Sequence, residues 1–220
     1  GEVLPMILPR IPNSYPLPSV YTDEEIRAIL GSIDRSTVQG SRDFAILMLA
    51  SSLGIRASDI CEMTLKAINF VKNELSFIQK KTSVPLTLPL LPDVKEALLG
   101  YLGYRKIDST DEPIFIQCRA PYHKLTRMGI WTIMRRYVKQ SGVDPGHRKR
   151  GTHALRSSLA SSMIREQVPY YAVQKILGHE SPQSTKNYVR IDIGRLREFT
   201  LPVPEAYGRF DAFLKGGETR

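Results

Sequence analysis

Cysteine is scarce in this sequence: the 220 residues include only Cys61 and Cys118, and neither belongs to a CxxC pair. No histidine stands at a spacing from either cysteine that would suggest a zinc site. Small secreted domains carry several disulfides, so two isolated cysteines indicate reduced thiols in a reducing compartment. We therefore expect no structural metal.

Long apolar runs are also missing. No segment approaches the roughly 18 consecutive apolar residues that span a bilayer. Prolines interrupt the N-terminal segment, where a signal peptide would need a continuous apolar core. The sequence predicts a cytoplasmic protein with no membrane partner. Hydrophobic residues still form 42% of the chain, which is enough to build a core in one large domain.

Acidic residues are outnumbered, since 22 Asp and Glu face 31 Lys and Arg and leave a net charge of +9. This balance is typical of a protein that binds a polyanion, although a merely basic soluble protein would show it too. The positions are more informative than the total. Basic residues cluster at Lys80, Lys81, Lys124, Arg127, Arg135, Arg136 and the run from His147 to Arg150.

The chain divides into three parts. Residues 1–19 contain five prolines and no regular apolar period, which predicts a linker or arm. Residues 20–192 carry helical and strand patterns and are expected to form the folded domain. Residues 193–220 include Pro202 and Pro204 and end in polar residues, so we expect a tail with at most one short docking helix.

The sequence pattern of residues 20–192 predicts a mainly α domain with a small antiparallel β-sheet, which is an α+β fold class. Thr22 and Glu25 have the spacing of a capping box. The stretch SRDFAILMLASSLG is apolar nearly all round, which indicates a central helix with Gly54 just past its end. Ser58 is expected to cap a short helix over residues 58–65. Residues 67–90 predict two or three strands, and helical periods return over 93–104, 126–140, 153–166 and 169–177.

His153 and Arg156 lie three residues apart at the start of a predicted helix, so their side chains are about 60° apart around its axis. Leu155, Leu159 and Met163 mark the buried stripe, which predicts that the polar pair faces another side. Free N–H groups at that helix end favour an anion. A surface ion pair is the commoner explanation for such a pair.

Further polar residues stand at comparable positions. Arg56 follows one helix end, Lys81 lies at a predicted hairpin, His179 follows another helix end, and Tyr188 comes nine residues later. Each has a structural explanation when taken alone, such as an ion pair between Arg56 and Asp59. Their number and order are what favour a shared site.

In this order the residues resemble the catalytic domain of the tyrosine recombinases, the phage integrase family, over about residues 20–192. The resemblance covers the leading helix YTDEEIRAIL, GIRASD for the family's G-[LI]-R-x-S-[ED], the hairpin lysine, HALR for H-x-L-R, and LGH with a tyrosine nine residues later. The chain departs from the usual family pattern at four positions: it has Asp59 in place of glutamate, Ala154 in place of aspartate, Ser157 in place of histidine and Gln167 in place of glycine.

The resemblance implies DNA strand cleavage and rejoining through a 3′-phosphotyrosine, with no metal, ATP or other cofactor. Arginine binds phosphate with a planar fork and keeps its charge, which suits Arg56 and Arg156 as clamps. Tyrosine is a weak nucleophile unless a base and nearby cations assist it. The resemblance implies that Tyr188 is the nucleophile and that His153 is the base that takes its proton. His179 would donate a hydrogen bond to the phosphate, and Lys81 would be the acid that protonates the leaving oxygen. Lys80 remains an alternative acid.

The implied partner is double-stranded DNA. The protein would bind two DNA sites as a homo-tetramer, can be a monomer when free of DNA, and would associate with the nucleoid. Contacts to the DNA backbone are expected from Lys80, Arg127, Arg135, Arg136, Arg148, Lys149 and Arg150. Proline-rich residues 1–19 would join this domain to an N-terminal core-binding domain. Two alternatives stay open: a type IB topoisomerase that nicks and reseals DNA, and a DNA-binding module without catalysis.

Overall fold

The computed structural model describes residues 20–105 and 109–178 of the chain. The N-terminal arm, the C-terminal tail, His179 and Tyr188 lie outside these residues. The described part contains seven α-helices and three strands: α1 (Asp23–Gly31), α2 (Val38–Ser52), α3 (Ala57–Glu62), β1 (Ile68–Asn69), β2 (Glu74–Ile78), β3 (Pro85–Pro89), α4 (Pro92–Leu102), α5 (Arg127–Gln140), α6 (Thr152–Arg165) and α7 (Tyr170–Leu177). The predicted α+β class is confirmed.

Helix α2 is the centre of the domain. Every residue from Ala45 to Ser51 is buried, and the helix packs against α1, α3, α4, α5 and α6. A helix covered on all sides needs apolar residues all round, which explains why its sequence lacks a polar face. Its C-cap is Leu53, and Gly54 follows with φ of 64°. That left-handed conformation is the one that glycine adopts without strain just past a helix end.

The three strands form an antiparallel meander in the order β1-β2-β3. Leu75 and Leu88 pair across β2 and β3 on the buried face. On the other face, the hydroxyls of Ser76 and Thr87 lie 3.0 Å apart and are hydrogen-bonded. This alternation fixes the register, because a shift by one residue would expose the leucines. The β2–β3 turn therefore presents residues 79–84 at a defined place.

The N-caps of two helices were predicted from the sequence, and the structure confirms one of them. The capping box of α1 is present: Thr22 Oγ1 accepts from the N–H of Glu25, and the Glu25 carboxylate accepts from the N–H of Thr22 at 2.8 Å. The prediction for α3 was wrong, because its N-cap is Arg56 and Ser58 lies inside the helix. Arg56 has the extended backbone conformation of an N-cap, so the helix begins at Ala57. The Arg56 side chain therefore lies outside the helix.

A buried polar network that the sequence analysis missed joins α2 to α5. Asp43 is fully buried and accepts from Arg42 Nε at 2.9 Å, from the Tyr137 hydroxyl at 3.1 Å and from Arg136 Nη1 at 3.3 Å. Burial, with help from Asp43, raises the pKa of Tyr137 to about 12, so this phenol stays a proton donor. Arg42 also donates to the carbonyl of Ile116 at 2.8 Å.

None of the helices in the described residues is long and apolar enough to cross a membrane. Both cysteines are free thiols, Cys61 buried and Cys118 partly exposed. Burial raises the pKa of Cys61 to about 11, which keeps the thiol protonated and unreactive. The expectation of reduced cysteines is consistent with these positions.

Candidate active site

Four of the six predicted catalytic residues come from three separate elements. Arg56 precedes α3, Lys81 lies in the β2–β3 turn, and His153 and Arg156 occupy the first turns of α6. The two arginines meet at the C-terminal end of α7: Arg56 donates to the carbonyl of Gly178, and Arg156 donates to the carbonyl of Leu177. Residues 100 positions apart in the sequence thus share one small region of the structure.

Arg156 is only 3% exposed, so the expectation that it would face a polar side of α6 was wrong. Its Nη1 donates to the carbonyl of Gly54 at 2.5 Å, while Nη2 bonds the carbonyl of Leu177. The guanidinium therefore spans the ends of α2 and α7. Buried carbonyls at helix ends need donors, and a planar fork can serve two of them at once.

Arg56 has a different environment. Its Nη2 donates to the carbonyl of Gly178 at 3.2 Å, whereas its Nη1 is buried and has no hydrogen-bond partner in the described residues. A buried donor without a partner is costly and calls for an explanation, and an anion bound at the site would provide one. Among the described residues Arg56 forms no ion pair with Asp59, whose Oδ1 accepts from Ser58 and Lys80 instead. The ion pair that would have explained Arg56 structurally is therefore not observed.

The end of α7 is packed tightly against the hairpin. Gly178 has φ of 58°, and a Cβ there would lie 2.3 Å from Nε2 of Gln79. Gln79 is 1% exposed and accepts from the Thr82 hydroxyl at 2.8 Å. A side chain at position 178 would have to displace the side-chain amide of Gln79. The glycine thus allows α7 to end directly against the hairpin.

The two neighbouring lysines of the hairpin differ in their contacts. The ammonium of Lys80 pairs with Glu62, whose other oxygen accepts from Lys124 at 2.7 Å. Lys81 is exposed and makes neither a hydrogen bond nor an ion pair with the described residues. Both lysines line an open cleft of about 480 Å³ together with Ser58, Cys61, Glu62, Lys124, Leu125, Thr126 and Arg127.

His153 is surrounded by positive charge. Part of the side chain faces solvent, yet burial against the protein lowers the pKa of His153 below its usual 6.5. Four cations lower it further, in the order Lys149, Arg156, Arg56 and Lys81. The imidazole is therefore uncharged at neutral pH and can accept a proton, and the same cations can hold an anion beside it.

The residues expected to contact the DNA backbone fall into two groups. Arg148 is paired with Glu25 through contacts of 2.5 and 2.7 Å and lies over the Tyr21 ring at 4.5 Å, so its guanidinium is already engaged within the protein. Arg136 neutralises the buried Asp43, and Lys80 is paired with Glu62. Arg127, Arg135, Lys149 and Arg150 are exposed.

Two residues that hold the site were missed by the sequence analysis. Gln79 fills the space beside Gly178, and Glu62 binds two lysines from different segments. Two carboxylates three residues apart on α3, Asp59 and Glu62, were the available signal. That pattern is common on exposed helix faces, so it indicates nothing until the hairpin is in place. The described residues contain no group of His, Cys, Asp and Glu side chains that could hold a metal ion.

The comparisons with known proteins agree with this architecture. Residues 19–195 match the model of the phage integrase family. A putative integrase/recombinase, y4gC of Sinorhizobium fredii, is 33% identical over 189 residues, which cover 86% of this chain and 97% of that protein. The tyrosine recombinase XerA of Pyrococcus furiosus is 30% identical over 195 residues, with 86% of this chain and 63% of XerA covered. The chain thus spans less than two thirds of XerA.

Solved structures show the same fold at lower identity. The crystal structure of XerA recombinase matches with a TM-score of 0.69 and 20% identity over 87% of this chain and 67% of the other. The XerH site-specific recombinase bound to palindromic difH substrate matches with a TM-score of 0.69 and 22% identity, over 83% and 52%. Sequence and fold together show that this chain belongs to the phage integrase family and contains its tyrosine recombinase catalytic domain.

Proposed function

We propose that this chain catalyses site-specific recombination by cleaving and rejoining double-stranded DNA through a 3′-phosphotyrosine link at Tyr188. The observation that carries the proposal is the meeting of two arginines at the end of α7, where Arg56 and Arg156 bond the carbonyls of Gly178 and Leu177. His179 is the next residue of the chain. Two guanidiniums beside an uncharged imidazole suit a phosphodiester better than a protein ion pair.

Fixed positive charge is the first requirement of the reaction. Attack on a phosphodiester makes the phosphorus five-coordinate and concentrates charge on its non-bridging oxygens. Arg56 has a buried nitrogen that finds no partner among residues 20–105 and 109–178 and can donate to such an oxygen. Arg156 is held rigidly by two carbonyls. His179 would donate a further hydrogen bond. Donors that need no rearrangement stabilise the transition state most effectively.

Proton transfer is the second requirement. As the Tyr188 oxygen bonds to phosphorus, its proton passes to His153, which is uncharged at neutral pH. The bond from phosphorus to the 5′ oxygen breaks at the same time, and Lys81 gives that oxygen a proton. A 5′ alkoxide is far more basic than a phenolate, so it cannot leave without one. The products are a 3′-phosphotyrosine and a free 5′ hydroxyl.

Rejoining reverses these steps. A 5′ hydroxyl from the same or another strand attacks the phosphotyrosine, and Tyr188 leaves as its proton returns. Since the covalent link conserves the energy of the phosphodiester, neither ATP nor a metal ion is needed in this scheme. Attack by the original strand would give a topoisomerase-like reaction, whereas attack by a second duplex gives recombination. We favour recombination, acting as a homo-tetramer on two sites, because the family and its named relatives are recombinases.

DNA affinity would come from exposed cations around the site. Arg127, Arg135, Lys149 and Arg150 can bind backbone phosphates, which provides affinity that falls with salt but little sequence information. Arg135 also lies over the Trp131 ring at 5.3 Å, so this contact limits how far its side chain can reach.

The test of the proposal is a covalent protein–DNA complex. A duplex with the DNA that flanks the gene and a nick near the cleavage point would lose the released 5′ hydroxyl fragment and trap the intermediate. We expect a denaturation-resistant complex. DNA binding without any such complex, across duplexes that the protein demonstrably binds, would instead support a non-catalytic binding module.

Arg156→Lys is expected to slow DNA cleavage about 100-fold while leaving DNA binding nearly unchanged, because lysine keeps the charge but loses the planar fork. It should also lower the melting temperature, since one ammonium cannot serve both helix-end carbonyls. Single-turnover cleavage and gel-shift binding measure the first effect. Arg165→Lys, at an exposed position of the same helix, is the matched control. Equal losses of binding and cleavage would argue against this role.

The pKa of His153 in the DNA-free protein is expected to lie below its ordinary 6.5, because burial and then four cations disfavour the charged ring. The uncharged base is therefore present at neutral pH and is lost only as the pH falls through the lowered pKa. An NMR titration, with the signal assigned by its loss in His153→Gln, measures this directly. A pKa above 6.5 would remove His153 as the base of the scheme.

A further inference from the structure

The most unusual charge arrangement near the site centres on Glu62, the last residue of α3. One carboxylate oxygen pairs with Lys80 of the hairpin, and the other accepts from Lys124 at 2.7 Å. These hydrogen bonds, first from Lys124 and then from Lys80, lower the pKa of Glu62. The carboxylate therefore stays charged and links two segments that both line the cleft.

Lys80 is held by α3 in two ways. Its backbone N–H donates to Asp59 Oδ1 at 2.9 Å, and its ammonium is bound by Glu62 one helical turn later. Asp59 is buried, which makes this anchor rigid. Lys81, the next residue, has no contact of either kind within the described part of the chain. The two lysines are therefore chemically alike but differently restrained.

We propose that Glu62 is a positioning residue that makes Lys81 rather than Lys80 the proton donor to the leaving 5′ oxygen. The inference rests on the proposed function. By binding Lys80, Glu62 removes a second ammonium that lines the same cleft and could reach the same oxygen. Lys81 is also one of the cations that lower the pKa of His153, so the Lys81 ammonium is close enough to interact with the proposed base.

The proton balance is the same for either lysine. As the bond between phosphorus and the 5′ oxygen breaks, one ammonium proton moves to that oxygen and a neutral amine remains, which solvent then reprotonates. In Lys81→Ala the acid is missing because Glu62 keeps Lys80 away. Removing the charge of Glu62 in that background should free Lys80 to supply the proton from the neighbouring position.

Cleavage by Lys81→Ala and by Lys81→Ala/Glu62→Gln is the decisive comparison. We expect Glu62→Gln to raise cleavage in the Lys81→Ala background about tenfold, a gain typical of partial general-acid catalysis. Adding Lys80→Ala should remove the gain. With Lys81 present, Glu62→Gln alone should slow cleavage of ordinary DNA about threefold, because a freed Lys80 would interfere with proton donation by Lys81, an effect of the size of one partly exposed ion pair. No gain in the double variant would overturn the proposal.

A substrate with sulfur in place of the bridging 5′ oxygen separates positioning from folding. A thiolate leaves without a proton, so Glu62→Gln should cleave it as fast as the wild type does. An equal slowing on both substrates would mean that Glu62 only supports the structure, and would overturn the proposal. Lys124→Ala, which leaves the Glu62–Lys80 pair intact, should give no gain with Lys81→Ala. Glu24→Gln, at an exposed position of α1, controls for the loss of one negative charge.

These measurements also distinguish failure of this inference from failure of the proposed function. If the wild type forms no covalent complex with the sulfur substrate, the proposed DNA cleavage itself is wrong. If the wild type cleaves it and the double variant shows no gain over Lys81→Ala, only the role of Glu62 is wrong. Circular dichroism melts of each variant ensure that the comparison is made between folded proteins.

Discussion

Tyr188→Phe is expected to abolish the covalent protein–DNA complex while DNA binding persists. Phenylalanine keeps the ring and removes only the oxygen that would attack phosphorus. Nucleophile removal leaves only catalysis by binding and charge. The measurement is denaturing electrophoresis of the trapped complex on a nicked duplex, beside a gel-shift of the same protein.

Tyr171→Phe is the matched control for this loss. Tyr171 lies on α7 with 72% of its surface exposed, close in sequence to the proposed nucleophile. Its variant should form the covalent complex as the wild type does. A complex that survives in Tyr188→Phe but disappears in Tyr171→Phe would move the nucleophile to α7 and reject the proposed chemistry at position 188.

Lys81→Ala is expected to slow cleavage of ordinary DNA by about 10²- to 10⁴-fold, the range for loss of a general acid. The same variant should cleave a substrate with a bridging 5′ sulfur at nearly the wild-type rate, because a thiolate leaves unprotonated. Single-turnover rates on both substrates give the ratio that isolates proton donation from binding. The structure favours Lys81 for this role because Lys80 is already bound by Glu62.

Lys80→Ala provides the contrast. It should slow both substrates by a similar, small factor, since it loses an ion pair and a cation but no acid. If Lys80→Ala shows the large, sulfur-rescued loss and Lys81→Ala does not, the assignment of the two lysines is reversed. If the sulfur substrate rescues neither variant, the proton comes from a group outside the hairpin.

The local elements of the fold were accessible from the sequence because their signals act over a few residues. The capping box of Thr22 and Glu25, the left-handed Gly54 and the Gly178 end of α7 were all expected and are present. The meander was expected from short β-branched runs separated by polar turns. Such features depend on backbone conformation and on nearest neighbours, which one sequence specifies.

The environment of individual charges was not accessible in the same way. Arg156 was expected to face away from the buried stripe of α6, but the ends of α2 and α7 cover it. Arg148 was expected on DNA, but Glu25 lies 123 residues earlier and binds it. Each outcome depends on which distant segment packs against the residue. Helical periodicity predicts the side on which a residue lies but not the partner found there.

The candidate site was predictable from the sequence only in part. The order of arginine, lysine, histidine and tyrosine was enough to identify the family, because five spaced motifs rarely coincide. The roles of Glu62 and Gln79 emerged only when α3, the hairpin and α7 were assembled. An exposed glutamate at the end of a short helix and a glutamine in a turn have no distinctive spacing. Their importance comes from the lysines and the glycine that they contact.

Mass spectrometry of the trapped covalent complex tests the central claim most directly. After nuclease and trypsin digestion, the account predicts that residues 187–190 carry a nucleotide remnant joined through its 3′ phosphate to the oxygen of Tyr188. The unmodified form of this peptide should fall in proportion to the trapped complex. A remnant on any other residue, or one joined through a 5′ phosphate, would contradict the account.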